Sequence, residues 1–305
     1  MEFKNLDQNK AFIKNEAKRL GITPKAAWST YYSRLLLERL SKINYGSLVV
    51  KGSFSQYVHL NSLSRPVLDI DLSSEQEHFI PINLLYQAIY ESEDDVVTYD
   101  VLTLPKQTKN GVYKIPVIAK IKYPDDDREV IISVPVDYKE SNNVIFETQY
   151  KGVEPLFKGE KKFFINVPSF EEHIAEKLYI IAHCRRDDVL NTRVKDFYDI
   201  FELHGQKYDG DKFALYFQAM LLMYGEDLEN ISTSFLNKDY IKRHEALWEK
   251  MKNKYEFIDK ELDLAEAIYY TRAVLSEQIQ KIQSHQFTDQ AMRLVREKKR
   301  RETRV

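Results

Sequence analysis

Between Val49 and Ser73 the chain reads VVKGSFSQYVHLNSLSRPVLDIDLS, and no other stretch restricts its fold as tightly. A short apolar run, Leu48-Val49-Val50, meets Gly52-Ser53. An amphipathic stretch follows from Phe54 to Leu63, and Val67 to Leu72 then reads as a strand carrying Asp69-Ile70-Asp71. Alternate residues of a strand share a face. Asp69 and Asp71 therefore point together, with Cα atoms about 7 Å apart at about 3.3 Å of rise per residue. Two carboxylates aimed at one volume repel unless a cation lies between them, and hard oxygen ligands suit Mg²⁺. Gly52-Ser53 opens a helix whose first N–H groups can hold phosphate. Each half has an ordinary reading when taken singly, a solvated strand end for Asp-x-Asp and a turn for Gly-Ser. Together they predict metal and phosphate chemistry on one scaffold.

Composition narrows what surrounds that segment. At 305 residues the chain can bury a sizeable core in one or two domains. With 43% apolar and 30% charged residues it reads as an ordinary globular protein rather than a disordered one. A formal net charge of −2 gives no global basic field, so any nucleic-acid surface must be local. Cys184 is the single cysteine, which excludes an internal disulfide and fits a reducing compartment. MEFKNLDQNK lacks an apolar signal region and no apolar run reaches a membrane span, so a cytoplasmic location is expected.

Taken in order, Asn9 to Leu20 has a helical apolar pattern ending at Gly21. Thr23-Pro24 then caps and opens a second helix with a Trp28, Tyr31, Tyr32, Leu35, Leu36, Leu40 stripe. Beyond the central segment, Pro81 to Tyr90 reads as a helix, Val96 to Leu104 as a strand and Lys106 to Gly111 as a turn. Val112 to Tyr123 and Glu129 to Tyr138 read as two more strands around Pro124-Asp125-Asp126-Asp127, whose acids belong to a solvated tip. Asp137 closes the apolar strand Val130 to Val136, a position that by itself suits a cap for the next turn. Pro135 inside that strand implies an edge position or a bulge.

Lys158 to Lys162 is a charged turn before Phe163-Phe164-Ile165-Asn166-Val167-Pro168, after which the pattern becomes helical. The expected fold is α+β. Residues 1–165 form a mixed-sheet core with helices in front, and residues 166–305 a helical domain completing the active-site cleft. Ser169 and Glu172 make a capping box for a helix from Phe170 to Cys184. Its buried stripe is Ile174, Leu178 and Ile181, and spacing puts Lys177 one residue off it, at the surface. In Arg193-x-Lys195-Asp196-Phe197-Tyr198-Asp199-Ile200 the two acids are i, i+3 neighbours, mildly unfavourable unless Arg, Lys or a ligand answers them. Arg293 to Arg304 is a basic tail expected to fray. The histidines form no zinc-type cluster, and no P-loop or G-x-S-x-G occurs.

Lys51-Gly52-Ser53 followed by Arg65-x-x-x-Asp69-Ile70-Asp71-Leu72 resembles the KGGT…RxSxDIDL segment of the AbiEii/AbiGii toxin family, within the polymerase-β-like nucleotidyltransferases. Ser replaces the second Gly, and Pro66-Val67-Leu68 stands where the family reads F-S-E. A second match follows: Ser169-Phe170-Glu171-Glu172…Ala175-Glu176-Lys177-Leu178, then Arg193-Val194-Lys195-Asp196-Phe197-Tyr198-Asp199-Ile200, resembles S-x-E-x-x-x-A-E-K-L…R-x-K-D-x-x-D-L. The resemblance spans Thr23 to Leu203.

That resemblance implies an Mg²⁺-dependent nucleotidyltransferase toxin of a toxin–antitoxin or phage-abortive system, paired with a DNA-binding antitoxin encoded alongside. It implies that Gly52-Ser53 holds the triphosphate of an NTP and that Asp69 and Asp71 bind Mg²⁺. Asp137 is implied as third ligand or base, Lys177 as a phosphate contact, and Asp196, with Asp199 beside it, as the aligning pair. The acceptor it implies first is RNA, above all the 3′ end of tRNA. Lys106, Lys109, Arg185, Arg186, Arg193, Lys195 and the tail are candidate RNA contacts. Transfer to a protein hydroxyl, transfer to a small molecule and a catalytically silent interaction protein stand as rivals.

Overall fold

A computed structural model describes residues 3–43, 46, 48–74, 80–91, 96–109, 111–139, 146–183, 194–203, 205–254, 258–259, 261–284 and 287–303. Two compact units emerge, Met1–Asn143 with Thr148–Pro168, and Ser169–Arg304 with Val144–Glu147.

The first unit begins with helices α1 (Leu6–Leu20) and α2 (Pro24–Ile43). Asn5 caps α1 by accepting from the Gln8 N–H, and Gly21 ends it in the left-handed conformation. Thr23 accepts from the Ala26 N–H, and Pro24 opens α2, where a missing N–H costs nothing. Buried Leu36, Leu37 and Leu40 make α2 the spine of this unit. Each such side chain contributes roughly 1.5–3 kcal/mol on burial. Arg34 is buried with it, its Nε 2.5 Å from Glu160 Oε2, its guanidinium 4.7 Å from the centre of the Phe163 ring.

Among the described residues ten strands make three sheets: β1 (Leu48–Val50), β2 (Ile70–Ser74), β3 (Val97–Val101), β4 (Lys106–Gln107), β5 (Val112–Ile115), β6 (Val117–Tyr123), β7 (Asp126–Ser133), β8 (Val136–Lys139), β9 (Thr148–Val153) and β10 (Phe163–Pro168). The principal sheet has the order β1-β2-β8-β5-β4, β3-β6-β7 form a second, and β9-β10 a third. Only β2 and β8 run parallel in the principal sheet, so it is mixed and the fold is α+β. Helices α3 (Gly52–Leu60) and α4 (Ile80–Tyr90) follow β1 and β2.

Prolines divide what the sequence presents as long strands. Pro116 splits 112–123 into β5 and β6, and Val134-Pro135 splits the next run into β7 and β8. At both breaks the chain passes between the second sheet and the principal one. A proline cannot donate to a ladder, and here it marks the corner where a strand changes sheets. The expected edge or bulge at Pro135 is therefore corrected: β8 is the middle strand of five, and Asp137 lies inside it rather than at its end. Two shorter corrections concern neighbours. Lys106-Gln107, expected as turn, pairs with β5, and β2 starts at Ile70, leaving Asp69 just before it. Asp126 is more engaged than a solvated tip, accepting from the Leu6 N–H and from Arg128, which holds its carboxyl well below the usual range.

The second unit is helical: α5 (Phe170–His183), α6 (Lys195–Phe201), α7 (Gly210–Met223), α8 (Lys238–Lys254), α9 (Leu264–Ser284) and α10 (Thr288–Thr303). Buried Phe213, Phe217, Met220 and Leu221 put α7 at its centre, packed on α5, α9 and α10. The expected frayed tail is helical through Thr303, with Ala291 and Val295 buried. The capping box forms by half. Ser169 Oγ accepts from the Glu172 N–H, but the Glu172 carboxylate turns to the Phe146 and Glu147 N–H groups at 2.9–3.0 Å. That buried carboxylate pins residues 146–147 into the helical unit. Cys184, Arg185, Arg186, Arg193 and Arg304 lie outside the described residues.

Candidate active site

Helix α3 starts directly where β1 ends. Lys51 leaves the strand in an extended conformation, its N–H donating to Asp71 O at 2.8 Å, and Gly52 turns with φ +62°. The turn requires glycine twice over. A side chain at that φ is strained, and a Cβ on Gly52 would fall 1.8 Å from Asp71 Oδ2. The backbone thus presses against the carboxylate, while the first turn of α3 leaves N–H groups without intrahelical acceptors. Ser53 is buried, and its Oγ has no hydrogen-bond partner among the described residues. A buried hydroxyl left in that state costs about 1–3 kcal/mol unless a ligand answers it.

Asp69, Asp71 and Asp137 come together on the principal sheet. The Ile70 N–H donates to Pro135 O at 2.9 Å, aligning the start of β2 with that of β8 and putting Asp71 in register with Asp137. One carboxylate oxygen from each of the three acids lies within 4.8 Å of the other two, and all three residues are half-buried. Like charges at such range repel by roughly 1 kcal/mol in water and about 4 kcal/mol near a protein surface. The oxygen-only donor set fits a hard divalent cation, and the missing Gly52 Cβ leaves room for the Asp71 carboxylate to sit against the turn.

Sequence reasoning missed Lys114. Its Nζ is 3.0 Å from Asp137 Oδ2, and the hydrogen bond to Asp137, helped by the charges of Asp137, Asp69 and Asp71, raises its pKa. The only trace in the sequence is strand alternation; which residue of β8 it faces is a matter of register.

In the helical unit the expected surface position of Lys177 is corrected. Lys177 is 6% exposed, its Nζ 2.6 Å from Asp199 Oδ2 and 3.9 Å from Asp196 Oδ1. Both aspartates are fully buried on α6. Because α6 and α7 both pack on α5, its buried face is wider than one stripe and takes in Lys177, three residues from Ile174. The i, i+3 acids thus have their cationic answer. Lys106 and Lys109 are exposed, and Lys195 opens α6.

A mixed sheet with a Gly-Ser helix start and converging carboxylates is the arrangement expected of the nucleotidyltransferase class that the sequence resembles. The family model described as "Nucleotidyl transferase AbiEii toxin, Type IV TA system" matches residues 34–277, so the chain belongs to the AbiEii family. It is a nucleotidyltransferase toxin of a type IV toxin–antitoxin system, a family that implies an NTP substrate and an antitoxin partner. No curated protein sequence matches the chain significantly. Among solved structures it is similar in fold to MenT4, the nucleotidyltransferase toxin Rv2826c from Mycobacterium tuberculosis H37Rv. That match has a TM-score of 0.61 and 15% identity, covering 96% of this chain and 97% of the other. JHP933 from Helicobacter pylori matches with a TM-score of 0.47 and 17% identity, covering 89% and 99%. Among the described residues no helix is long and apolar enough to cross a membrane.

Proposed function

We propose that this toxin transfers a nucleotide from an NTP to the 3′ end of an RNA, tRNA first among them, in an Mg²⁺-dependent reaction. It would act in the cytoplasm, in phage defence, neutralised by a DNA-binding antitoxin encoded alongside. The observation that carries the reading is the convergence of Asp69, Asp71 and Asp137 beside the Gly52-Ser53 turn. Helix N-terminal N–H groups and the buried Ser53 hydroxyl suit the β- and γ-phosphates of an NTP. The three acids would hold Mg²⁺, which when bound neutralises phosphate charge as pyrophosphate leaves.

The acceptor hydroxyl attacks the α-phosphorus. A new P–O bond forms, the α–β bridge breaks, pyrophosphate departs, and Asp137 takes the hydroxyl proton. Lys177 is assigned the phosphate contact, held ready by Asp199, with Asp196 as the aligning acid; the motif match motivates these roles. RNA as acceptor rests on the family resemblance. Purified protein incubated with Mg²⁺, each labelled NTP and total RNA should label RNA, and the label should vanish with a chelator. Label confined to polypeptide would overturn the RNA acceptor. Absence of transfer to any acceptor, with NTP bound, would overturn the assigned roles.

A further inference from the structure

One cross-strand row of the principal sheet grades from acid to base. Asp71 on β2 pairs with Asp137 on β8, Asp137 with Lys114 on β5, and Lys114 with Lys106 on β4. Residues paired in register share a face of the sheet. The neighbouring row, Leu72, Tyr138, Tyr113 and Gln107, belongs to the opposite face, where Tyr138 is fully buried. Strands lie about 4.8 Å apart, so Lys106 stands about 14 Å from Asp71 across three strand steps. Lys114 and Lys106 are both exposed, the Lys114 side chain to 60%.

Resting on the RNA-transfer reading above, the geometry points to the Lys114–Lys106 row as the track for the acceptor's phosphate backbone. Phosphoryl transfer needs the attacking and leaving oxygens roughly in line. The leaving pyrophosphate belongs at the start of α3, on the β1 side of the acids. The attacking hydroxyl must then come from the other side, over β8 and outward to β5 and β4. A 3′-terminal nucleotide with its hydroxyl at Asp137 brings its own phosphodiester toward Lys114 and the preceding one toward Lys106. The ion pair between Lys114 and Asp137 keeps that ammonium at the boundary between acids and track. A protein hydroxyl carries no phosphates to meet these lysines, and a small molecule at Asp137 does not extend to Lys106.

The test compares wild type with Lys106→Gln, Lys106→Gln/Lys114→Gln and the control Lys25→Gln, an exposed lysine on α2. Each is measured for RNA binding and for labelling of total tRNA at several salt concentrations. Lys106→Gln should raise the KM for RNA about three- to tenfold with the KM for NTP unchanged. At about 0.7 per single-strand phosphate contact, the double variant should flatten the log–log salt dependence of RNA binding by about 1.4. Lys106→Arg should restore wild-type behaviour, as a charge contact requires and a packing role does not. RNA labelled normally by the double variant, with wild-type affinity and salt slope, would overturn the track and leave the RNA reading standing. Wild-type protein that labels only polypeptide would overturn both.

Discussion

Gly52 and Asp71 show how one hydrogen atom in place of a methyl shapes this site. Gly52→Ala would put Cβ into the Asp71 carboxylate, on top of about 1–2 kcal/mol for the left-handed backbone. Nucleotide transfer should therefore fall much further than thermal stability, a difference that transfer assays and melting curves on one preparation would expose. Asp69→Asn and Asp71→Asn act oppositely on stability, because neutralising one of several repelling carboxylates leaves the fold intact. Losing several kcal/mol of charge stabilisation should cut transfer more than about a hundredfold. Wild-type rates in either variant would remove the acid pair from the mechanism. Lys177 carries a structural load beside its proposed phosphate contact. Lys177→Ala takes the ammonium away from two buried carboxylates, at a cost on the order of 3–5 kcal/mol. Lys177→Met combined with Asp199→Asn should recover part of that stability but none of the activity, as denaturant titration and transfer assays would show.

At the scale of elements, the helix that begins at the Gly52-Ser53 turn is tied down at its other end. His59 in the last turn of α3 has Nε2 2.8 Å from Pro168 O at the end of β10, and Nδ1 3.1 Å from Lys151 Nζ on β9. A carbonyl only accepts, so Nε2 carries the hydrogen and Nδ1 accepts from the lysine; the ring is neutral. Burial first, then the Lys151 charge, pushes its pKa down to about 4. An unfolded histidine titrates near 6.5, so between those values the unfolded chain binds the extra proton and stability falls as pH is lowered. By pH 5 the loss is about 2 kcal/mol, at 1.36 kcal/mol per unit. Denaturant melts at pH 7 and pH 5 should show this decline in wild type and not in His59→Gln. Parallel declines in both proteins would contradict a neutral His59 held between Pro168 and Lys151.

For the whole molecule, charge limits how the proposed RNA acceptor could be held. With a formal net charge of −2 the protein has no overall attraction for a polyanion, so RNA labelling must depend on local lysines and arginines. Raising salt from 50 to 200 mM should depress RNA labelling steeply while NTP binding, gripped by directed hydrogen bonds, responds less. A salt-indifferent labelling reaction would contradict a backbone-contacting acceptor.

Much of the candidate site was legible before any coordinates, because its chemistry is local. Gly52-Ser53 lies within one turn of β1, and Asp69 and Asp71 are two residues apart, close enough for their carboxylates to converge although Asp69 precedes the strand. Lys177, Asp196 and Asp199 were legible as a motif, yet not as a buried cluster, since one helix's pattern does not reveal how many neighbours will cover it. Asp137 and Lys114 depended on the fold. Their company with Asp71 comes from strand register, set where Pro116 and Pro135 turn two strands from one sheet into the other. Sequence distance carries no information about which residues meet across a ladder. Only the closing of hydrogen bonds between strands far apart in the chain makes that choice.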